Sequence, residues 1–292
     1  SEPRSIEAMP GQHQWPVEAA RDRIAELAKQ GLRHFLLFGV TPPAAKDGQG
    51  SFAADPQAPV NRLLREVRRA EQDVVLTADL CFCEYTDHGH CGALAHGGRS
   101  PETVDNDATL QLLGRTAVAQ AEAGADIVAP SGMMDGQVRT IRGALDEADY
   151  EQTAVLSYAI KYASHFYGPF REAGEGGMAF GDRRPYQMDF RRSREWRREL
   201  QLDEAEGADA VMVKPAGLYL DVVRQVREAS PLPLAAYHVS GEYAMLHAAA
   251  ERGWLDLQPA ALETFYAIRR AGADWIVTYF APDAISWLND LE

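Results

Sequence analysis

Two lysines end apolar, strand-like runs in this 292-residue chain, Ala154–Lys161 and Ala210–Lys214. Lysine is scarce, with four among 29 basic residues, so these two positions stand out. Burial disfavours the charged ammonium and lowers its pKa, and a neutral lysine amine can attack a ketone to form a Schiff base. Two such lysines close together would lower each other's pKa further. The pattern predicts Schiff-base chemistry, although either lysine alone would also suit a side chain that reaches solvent or pairs with a carboxylate.

Three cysteines, Cys81, Cys83 and Cys91, form a second reactive group. Thiolates at positions i, i+2 and i+10 can be folded by one loop around a zinc ion (Zn²⁺), and three ligands leave a fourth position for water or substrate. His88 and His90 lie in the same loop. Either can be the fourth ligand, but we favour the interpretation that they orient a ligand or the bound water. Free cysteines that are buried or redox-active are the remaining interpretation.

Hydroxyl and guanidinium groups at other positions suit carboxylate binding. Ser131, Ser240 and Tyr279 end or follow predicted strands, and Arg171 and Arg183 belong to a glycine-rich segment. Hydroxyls donate single hydrogen bonds to a carboxylate, and arginine donates a bidentate pair. Alone, Ser131 would also suit a helix cap and Tyr279 a packed core. Together with two amines and a Lewis acid, these groups describe a pocket that could join two amino-keto-acids.

Short runs rich in Val, Ile and Leu alternate with amphipathic stretches along the chain. This alternation is typical of parallel strands that are buried on both faces and connected by helices. The predicted strands are 34–40, 74–79, 126–130, 154–161, 210–214, 232–239 and 274–279. The predicted helices are 17–30, 59–70, 107–123, 136–147, 194–206, 220–228, 242–252 and 259–271.

Three predicted helices are followed by nearly the same four residues, Ala-Gly-Ala-Asp at 123–126 and 271–274 and Glu-Gly-Ala-Asp at 206–209. Each places glycine where a helix ends, in a left-handed conformation that costs glycine least. The recurrence indicates repeated βα units, so we predict one α/β domain over residues 1–292, a TIM-type (β/α)8 barrel. A doubly wound open sheet is the alternative, disfavoured because no Gly-x-Gly-x-x-Gly loop follows a predicted strand.

Residues 165–188 interrupt the alternation of strands and helices. Five glycines occur there together with Arg171, Arg183 and Arg184. A long glycine-rich insertion after a strand is typical of an active-site lid, and an inert surface loop is the alternative. We predict that this segment is a lid.

Composition excludes several classes of partner. The formal net charge of −14 would repel nucleic-acid phosphates and anionic lipids, and the richest basic run, 191–198, is interrupted by Glu195. No apolar run approaches the roughly 18 residues of a membrane span, and the first residues do not resemble a signal peptide. The three cysteines share one loop instead of forming a disulfide framework. We expect a cytoplasmic protein that acts on small molecules and binds neither nucleic acid nor membrane.

Seven segments of the chain closely resemble porphobilinogen synthases, also called 5-aminolevulinate dehydratases. The similarity extends through nearly the whole chain, and chance does not produce so many segments in the same order. The segments are Asp-x-Cys-x-Cys-x-Tyr-Thr-x-His-Gly-His-Cys-Gly (79–92), Val-Asp-Asn-Asp-Ala-Thr-Leu (104–110), Met-Asp-Gly-Gln-Val (134–138), Lys-Tyr-Ala-Ser-x-Phe-Tyr-Gly-Pro-Phe-Arg (161–171), Gly-Asp-Arg-Arg-x-Tyr-Gln-Met (181–188), Met-Val-Lys-Pro-Ala-Gly (212–217) and Val-Ser-Gly-Glu-Tyr-Ala-Met (239–245).

The resemblance implies a metal-dependent TIM barrel that condenses two 5-aminolevulinate molecules to porphobilinogen, in tetrapyrrole and haem biosynthesis. Lys214 would hold the substrate that binds first, and the carboxylate of that substrate would meet Ser240 and Tyr279. The zinc ligands would be the three thiolates of Cys81, Cys83 and Cys91.

The resemblance assigns the second substrate to Lys161. The carboxylate of this substrate would meet Arg171 and Arg183, with Gln187 nearby. Asp79 would lie beside the zinc and assist binding or proton transfer at the second substrate.

Other features concern regulation and assembly. Glu199 matches a carboxylate that holds an allosteric magnesium ion (Mg²⁺) in some family members, and an exposed helical glutamate is the alternative.

Family members form homo-oligomers, typically octamers, in which an N-terminal arm wraps a neighbouring subunit. This chain starts just before a segment, 6–11, that the arm and a first barrel strand precede in the family. We therefore expect seven strands and no arm-wrapped octamer. His238 stands where family members often have glutamine.

We expect an active synthase. The alternatives are another Schiff-base lyase or aldolase on the same barrel, and a catalytically weakened or truncated homologue that acts as a binding or assembly module. The last is disfavoured because a protein without catalysis has little physical reason to keep two lysines that are costly to desolvate.

Overall fold

Nine strands occur in the part of the chain that the computed structural model describes, residues 2–70, 73–95, 103–175 and 177–289. The strands β1 (Arg4–Ser5) and β2 (His13–Gln14) form an antiparallel hairpin. The other seven form one parallel sheet: β3 (His34–Leu37), β4 (Val75–Leu80), β5 (Ile127–Pro130), β6 (Ala154–Lys161), β7 (Ala210–Lys214), β8 (Leu234–His238) and β9 (Trp275–Thr278).

Ten α-helices lie in the same described ranges, and eight of them match the predicted helices to within two residues at either end. None of the ten is long and apolar enough to cross a membrane. They are α1 (Val17–Lys29), α2 (Pro59–Arg69), α3 (Asn106–Ala123), α4 (Gln137–Glu147), α5 (Gly168–Ala173), α6 (Glu195–Glu206), α7 (Leu220–Ala229), α8 (Ser240–Glu251), α9 (Leu257–Ala271) and α10 (Ala281–Asn289).

The seven-stranded sheet follows chain order from β3 to β9, and every neighbouring pair is parallel. A doubly wound sheet reverses its strand order, so this topology excludes that alternative and confirms the TIM-type barrel. The predicted glycines at three helix ends, Gly124, Gly207 and Gly272, have φ of 106°, 101° and 124°. Within the described chain β3 and β9 are the edge strands. The ring centroids of His34 on β3 and Trp275 on β9 are 5.7 Å apart, so the seven strands form a nearly closed barrel.

Alternate strand residues face two different cores, as the period of a strand requires. On β7, Val211 and Val213 pack in the outer core against the helices, whereas Ala210 and Met212 belong to the core inside the barrel. The same alternation places Lys214 on the inner side. Other members of the inner core are Ala129, Leu156, Tyr158, Ala235, Tyr237 and Val239.

Three elements were not expected from the sequence: the hairpin, α5 and α10. Each hairpin strand has two residues, too few to show a period. Helix α5 lies inside the predicted lid 165–188, so this segment begins as a short helix after a 3₁₀ turn. Gly176 of the predicted lid lies outside the described residues.

Candidate active site

Lys161 and Lys214 lie side by side at the carboxyl ends of β6 and β7, where the two residues are register partners. Their exposed fractions are 4% and 8%. The carboxyl end of the strands is where (β/α) barrels carry their catalytic groups. The fold therefore places two buried amines next to each other at the functional end of the barrel.

A break in the pairing of β6 with β7 sets the direction of Lys161. Tyr158 faces the inner core, and a residue three positions later would face outwards in a regular strand. The register shifts between Ser157 and Ile160, and such a bulge changes which face the following residues occupy. As a result, Lys161 Nζ lies 5.5 Å from the centroid of the Tyr158 ring.

Aromatic rings surround the Lys214 side chain. Burial lowers the pKa of Lys214 to about 7, and the charge of Lys161 lowers it as well, while Asp79 opposes the shift. A lysine with this pKa is partly a free amine at neutral pH, as a Schiff-base nucleophile must be. The ring centroids lie 4.2 to 5.7 Å from Nζ and belong to Tyr237, Tyr158, Tyr167 and Phe170.

We expect Schiff-base formation on Lys214 to follow the fraction of neutral amine. Below the pKa of about 7, this fraction falls about tenfold for each pH unit, so trapping with borohydride should fall as the pH decreases. Lys161→Met removes a neighbouring charge, which should raise the pKa of Lys214 and move the profile to higher pH. Peptide mass spectrometry of briefly trapped samples measures both profiles. If the wild type and Lys161→Met had pH profiles with the same midpoint, the electrostatic coupling of the two lysines would be contradicted.

Asp79 and Ser131 connect the lysines to the cysteine loop. Lys161 Nζ donates to the Ser131 carbonyl oxygen at 2.6 Å, and the Ser131 hydroxyl donates to Asp79 Oδ2 at 3.2 Å. Burial raises the pKa of Asp79 to about 7, and the nearby Glu84 carboxylate contributes in the same direction. A carboxyl group with this pKa can take up or release a proton near neutral pH. The buried Asp79 Oδ1 has no hydrogen-bond partner in the described chain, so this oxygen can meet a ligand.

The three cysteines converge in the loop after β4. Their Sγ atoms all lie within 4.8 Å of one another, and all three residues are buried. Hydrogen bonds with Cys81 and Cys83 hold the pKa of Cys91 well below its usual value, whereas hydrogen bonds with Cys81 and Cys91, together with burial, raise the pKa of Cys83. The thiols cannot easily ionise together without a cation. Such a buried set of soft donors fits a single metal ion.

His88 and His90 are not arranged as metal ligands, because each ring nitrogen has a hydrogen-bond partner. His88 Nδ1 accepts from the backbone N–H of His90 at 3.1 Å, and Nε2 lies 3.2 Å from the Gly48 carbonyl oxygen. His90 Nε2 lies 3.1 Å from the Phe180 carbonyl oxygen, and Nδ1 lies 3.0 Å from the Tyr186 hydroxyl. Within the described residues, the candidate ligand cluster consists of the three cysteines. Three thiolates leave one position of a tetrahedral ion for another ligand.

Ser240 and Tyr279 lie around Lys214. The Tyr279 hydroxyl is 3.1 Å from the Tyr237 hydroxyl, and the Tyr237 ring is the one nearest to Lys214 Nζ. Ser240 Oγ accepts from the backbone N–H of Phe170 at 3.1 Å. The structure brings these two predicted hydroxyls to the side of the site that Lys214 occupies.

Arg171, Arg183 and Gln187 line one cavity of about 1280 Å³. Ala163, two residues after Lys161, belongs to the same wall. Arg171 Nε and Gln187 Nε2 are buried without a hydrogen-bond partner in the described chain, so both can donate to a ligand carboxylate. Burial opposes the charge of Arg183, but the neighbouring thiolates raise its pKa above the usual range. This guanidinium therefore stays charged beside the cysteine cluster.

Glu199 lies half-buried on α6, among other acidic groups. Burial raises the pKa of Glu199, and the carboxylates of Asp135, Glu195 and Glu206 contribute to the same shift. Carboxylates that repel each other are the groups that a hard cation neutralises. Within the described residues, however, these ligand atoms do not meet as closely as the three thiols do.

Several residues of the site were missed by the sequence reasoning. Tyr237 is detectable in retrospect, because it follows the inward period of β8 together with Ala235. Tyr158 could not be found in this way, because the bulge in β6 interrupts the alternation of inward-facing and outward-facing residues between Tyr158 and Lys161. Glu84 is buried beside Cys83, with Oε2 only 3.1 Å from Sγ. Its position next to a cysteine was the available signal.

A parallel barrel with two adjacent buried lysines beside a three-thiol cluster defines a Schiff-base-forming enzyme with a metal site. Comparison with known proteins is more specific. The chain belongs to the delta-aminolevulinic acid dehydratase family, whose model matches residues 1–287. This membership confirms the resemblance found in the sequence.

Relatives of this family span nearly the whole chain. A delta-aminolevulinic acid dehydratase from Archaeoglobus fulgidus is 50% identical over 282 residues, which cover 97% of this chain and 85% of the relative. One from Mycobacterium tuberculosis is 51% identical over 289 residues, covering 99% and 86%. The crystal structure of the Toxoplasma gondii enzyme, a porphobilinogen synthase in complex with its product porphobilinogen, is 41% identical and superposes with a TM-score of 0.96. That match covers 99% of this chain and 82% of the other.

Proposed function

We propose that this protein is a porphobilinogen synthase, a lyase that condenses two molecules of 5-aminolevulinate to porphobilinogen and releases two molecules of water. The observation that supports this most strongly is the pair of buried lysines, Lys161 and Lys214, in register on adjacent strands. An aldolase of the Schiff-base type needs one such lysine, whereas two amines suit two ketone substrates. Family membership favours the same interpretation.

The first substrate would bind at Lys214. The neutral amine attacks the ketone carbon, and the resulting carbinolamine loses water to give a Schiff base. The aromatic rings around Nζ stabilise the protonated Schiff base through their negative faces. The carboxylate of this substrate would accept hydrogen bonds from the hydroxyls of Ser240 and Tyr279.

The second substrate would bind at Lys161, whose amine forms the second Schiff base. Its carboxylate would lie between Arg171 and Arg183, with the Gln187 amide as a further donor. Asp79 would move a proton at this substrate, which its pKa of about 7 and its unpartnered Oδ1 support. Arginine forks and lysine together fix both ends of the molecule, which lowers the entropic cost of joining it to the first.

We propose that Cys81, Cys83 and Cys91 hold a zinc ion, since soft thiolates in a dry pocket favour Zn²⁺ over Mg²⁺. When bound, zinc supplies a Lewis acid that polarises a substrate oxygen or lowers the pKa of a bound group. Arg183, charged and next to the thiols, would keep the second carboxylate close to this cluster.

Glu199 is proposed to take part in an allosteric Mg²⁺ site. Support comes from its resemblance to the family carboxylate and from the acidic groups around it, which raise its pKa. Mg²⁺ is a hard cation that binds carboxylate oxygens and keeps several water molecules as its remaining ligands.

We further propose that this single domain works in the cytoplasm as a homo-oligomer, with residues 165–188 as its lid. Three free, buried cysteines fit a reducing compartment. The lid segment contributes Arg171, Arg183 and Gln187 to the cavity wall. Large exposed apolar side chains are of the kind that subunit contacts bury: Leu218, Met245, Trp254 and Tyr266.

Incubation of the zinc-loaded protein with 5-aminolevulinate tests the proposed function. We expect a pyrrole product, and we expect borohydride to trap a covalent adduct that peptide mapping places on Lys214 or Lys161. Lys29, which is exposed, and Lys46, which is half-buried, serve as internal controls in the same digest. Absence of a pyrrole, or an adduct confined to Lys29 or Lys46, would overturn the proposal.

A further inference from the structure

The backbone of the predicted lid touches the cysteine loop at Gly89. This residue has φ of 72°, in the left-handed region that favours glycine. A Cβ at Gly89 would lie 2.4 Å from the Gly177 carbonyl oxygen and 3.1 Å from Met178 Cα. The two backbones can therefore approach this closely only because residue 89 has no side chain.

The His90 imidazole binds two lid residues. A carbonyl oxygen can only accept, so Nε2 must donate to the Phe180 carbonyl oxygen, and Nδ1 then accepts from the Tyr186 hydroxyl. The ring also packs on the Phe180 side chain, with centroids 4.9 Å apart.

Two backbone carbonyls of the same loop hold further lid residues. The N–H of Ala179 donates to the His88 carbonyl oxygen at 3.1 Å. Arg183 Nη2 donates to the Gly89 carbonyl oxygen at 3.1 Å. The second contact matters for function, because Arg183 is one of the proposed carboxylate donors. Docking of the lid on this loop therefore fixes a group that would bind substrate.

The lid is anchored a second time where it ends. Met188 N–H donates to the Lys161 carbonyl oxygen at 3.1 Å, and Ala163 N–H donates to the Met188 carbonyl oxygen at 2.9 Å. The stretch that carries Arg183 and Gln187 is thus held between the cysteine loop and the end of β6. The second anchor is part of the barrel, so the first is the contact that can open.

We infer that His88, Gly89 and His90 form a latch that holds the lid closed over the second substrate, with His90 as a positioning residue that acts through Phe180 and Tyr186. The inference rests on the proposed function, because it takes the carboxylate at Arg183 to be that of the second 5-aminolevulinate. The cysteine loop would then have two roles. Its three thiols provide the metal site, and the latch formed by His88, Gly89 and His90 closes the pocket.

Gly89→Ala tests the latch from the side of the loop. The added Cβ meets the Gly177 carbonyl, so the lid should undock: we expect about tenfold faster hydrogen exchange at the Ala179 amide and about a tenfold higher KM, with kcat changed less than about threefold. Zinc content should not change. Gly253→Ala is the matched control, since Gly253 also has a left-handed φ, of 66°, but has no atom within 4 Å of an added Cβ.

Phe180→Ala tests the same contact from the lid and leaves the cysteine loop intact. Like Gly89→Ala, it should raise the hydrogen-exchange rate at the Ala179 amide and raise KM. His90→Phe should have the same effects, whereas His90→Gln, which keeps a donor and an acceptor, should stay close to the wild type. Loss of zinc in Gly89→Ala, or unchanged exchange and KM in Phe180→Ala, would overturn the latch. If the wild-type protein made no porphobilinogen, the proposed function would fail, and the exchange rates would still decide whether the lid docks here.

Discussion

Lys214→Met is expected to reduce turnover by at least about 10⁴-fold, because it removes the amine that we propose forms the first Schiff base. Methionine is one atom shorter, but its unbranched apolar side chain can occupy most of the same aromatic surroundings, which include the Tyr237 ring 4.2 Å from Nζ. The loss should therefore appear in kcat without unfolding of the protein. Steady-state formation of the pyrrole, together with thermal unfolding, separates the two effects.

Three further measurements make the Lys214 prediction specific. Lys29→Met, at an exposed position on α1, should leave turnover unchanged, and borohydride should still trap an adduct on Lys161 in Lys214→Met. Folding lowers the pKa of Lys214 from 10.5 to about 7, so the unfolded chain binds more protons between these values. The free energy of unfolding should rise with pH in this window in the wild type and lose that contribution in the variant. Substantial turnover in Lys214→Met would show that this lysine is not the nucleophile.

The regular alternation of side chains along strands, together with glycines at helix ends, made much of this site predictable. Strands with a period of two place Met212 and Lys214 on one face, and helix ends marked by glycine locate the strands that follow. Since parallel strands end at one side of a barrel, lysines at two strand ends had to lie near each other. The lysine pair therefore follows from local sequence combined with one rule of topology.

The parts that escaped prediction depend on irregular backbone or on contacts distant in sequence. The bulge in β6 turns Lys161 inwards, and its residues carry no composition that marks a bulge. The pairing of Gly89 with Gly177 joins loops 88 residues apart, and only the tertiary structure shows why glycine is needed there. From the sequence we favour His88 and His90 as residues that orient a metal ligand or bound water, whereas in the structure both ring nitrogens of His90 contact residues of the predicted lid.

Cys83→Ala should weaken zinc binding by at least about a hundredfold and reduce turnover in proportion to the zinc lost. The physical reason is the donor set: three thiolates would share the charge of one cation, whereas two would leave a site that water and weaker ligands must complete. In the wild type, treatment with a chelator should abolish activity, and Zn²⁺ should restore it. Mg²⁺ should not, because it prefers oxygen ligands.

The control for this prediction lies in the same loop. Asp87 is exposed there, so Asp87→Ala should leave zinc content and turnover unchanged, which separates loss of a ligand from general damage to the loop. Zinc content by elemental analysis and turnover are measured on the same samples at several zinc concentrations. If Cys83 is a ligand, excess zinc should recover part of the activity of Cys83→Ala, because a weaker site can still be filled by mass action. Full activity in a protein shown to be free of metal would mean that the thiols serve another purpose, and that Lys161, Lys214 and Asp79 suffice for the chemistry.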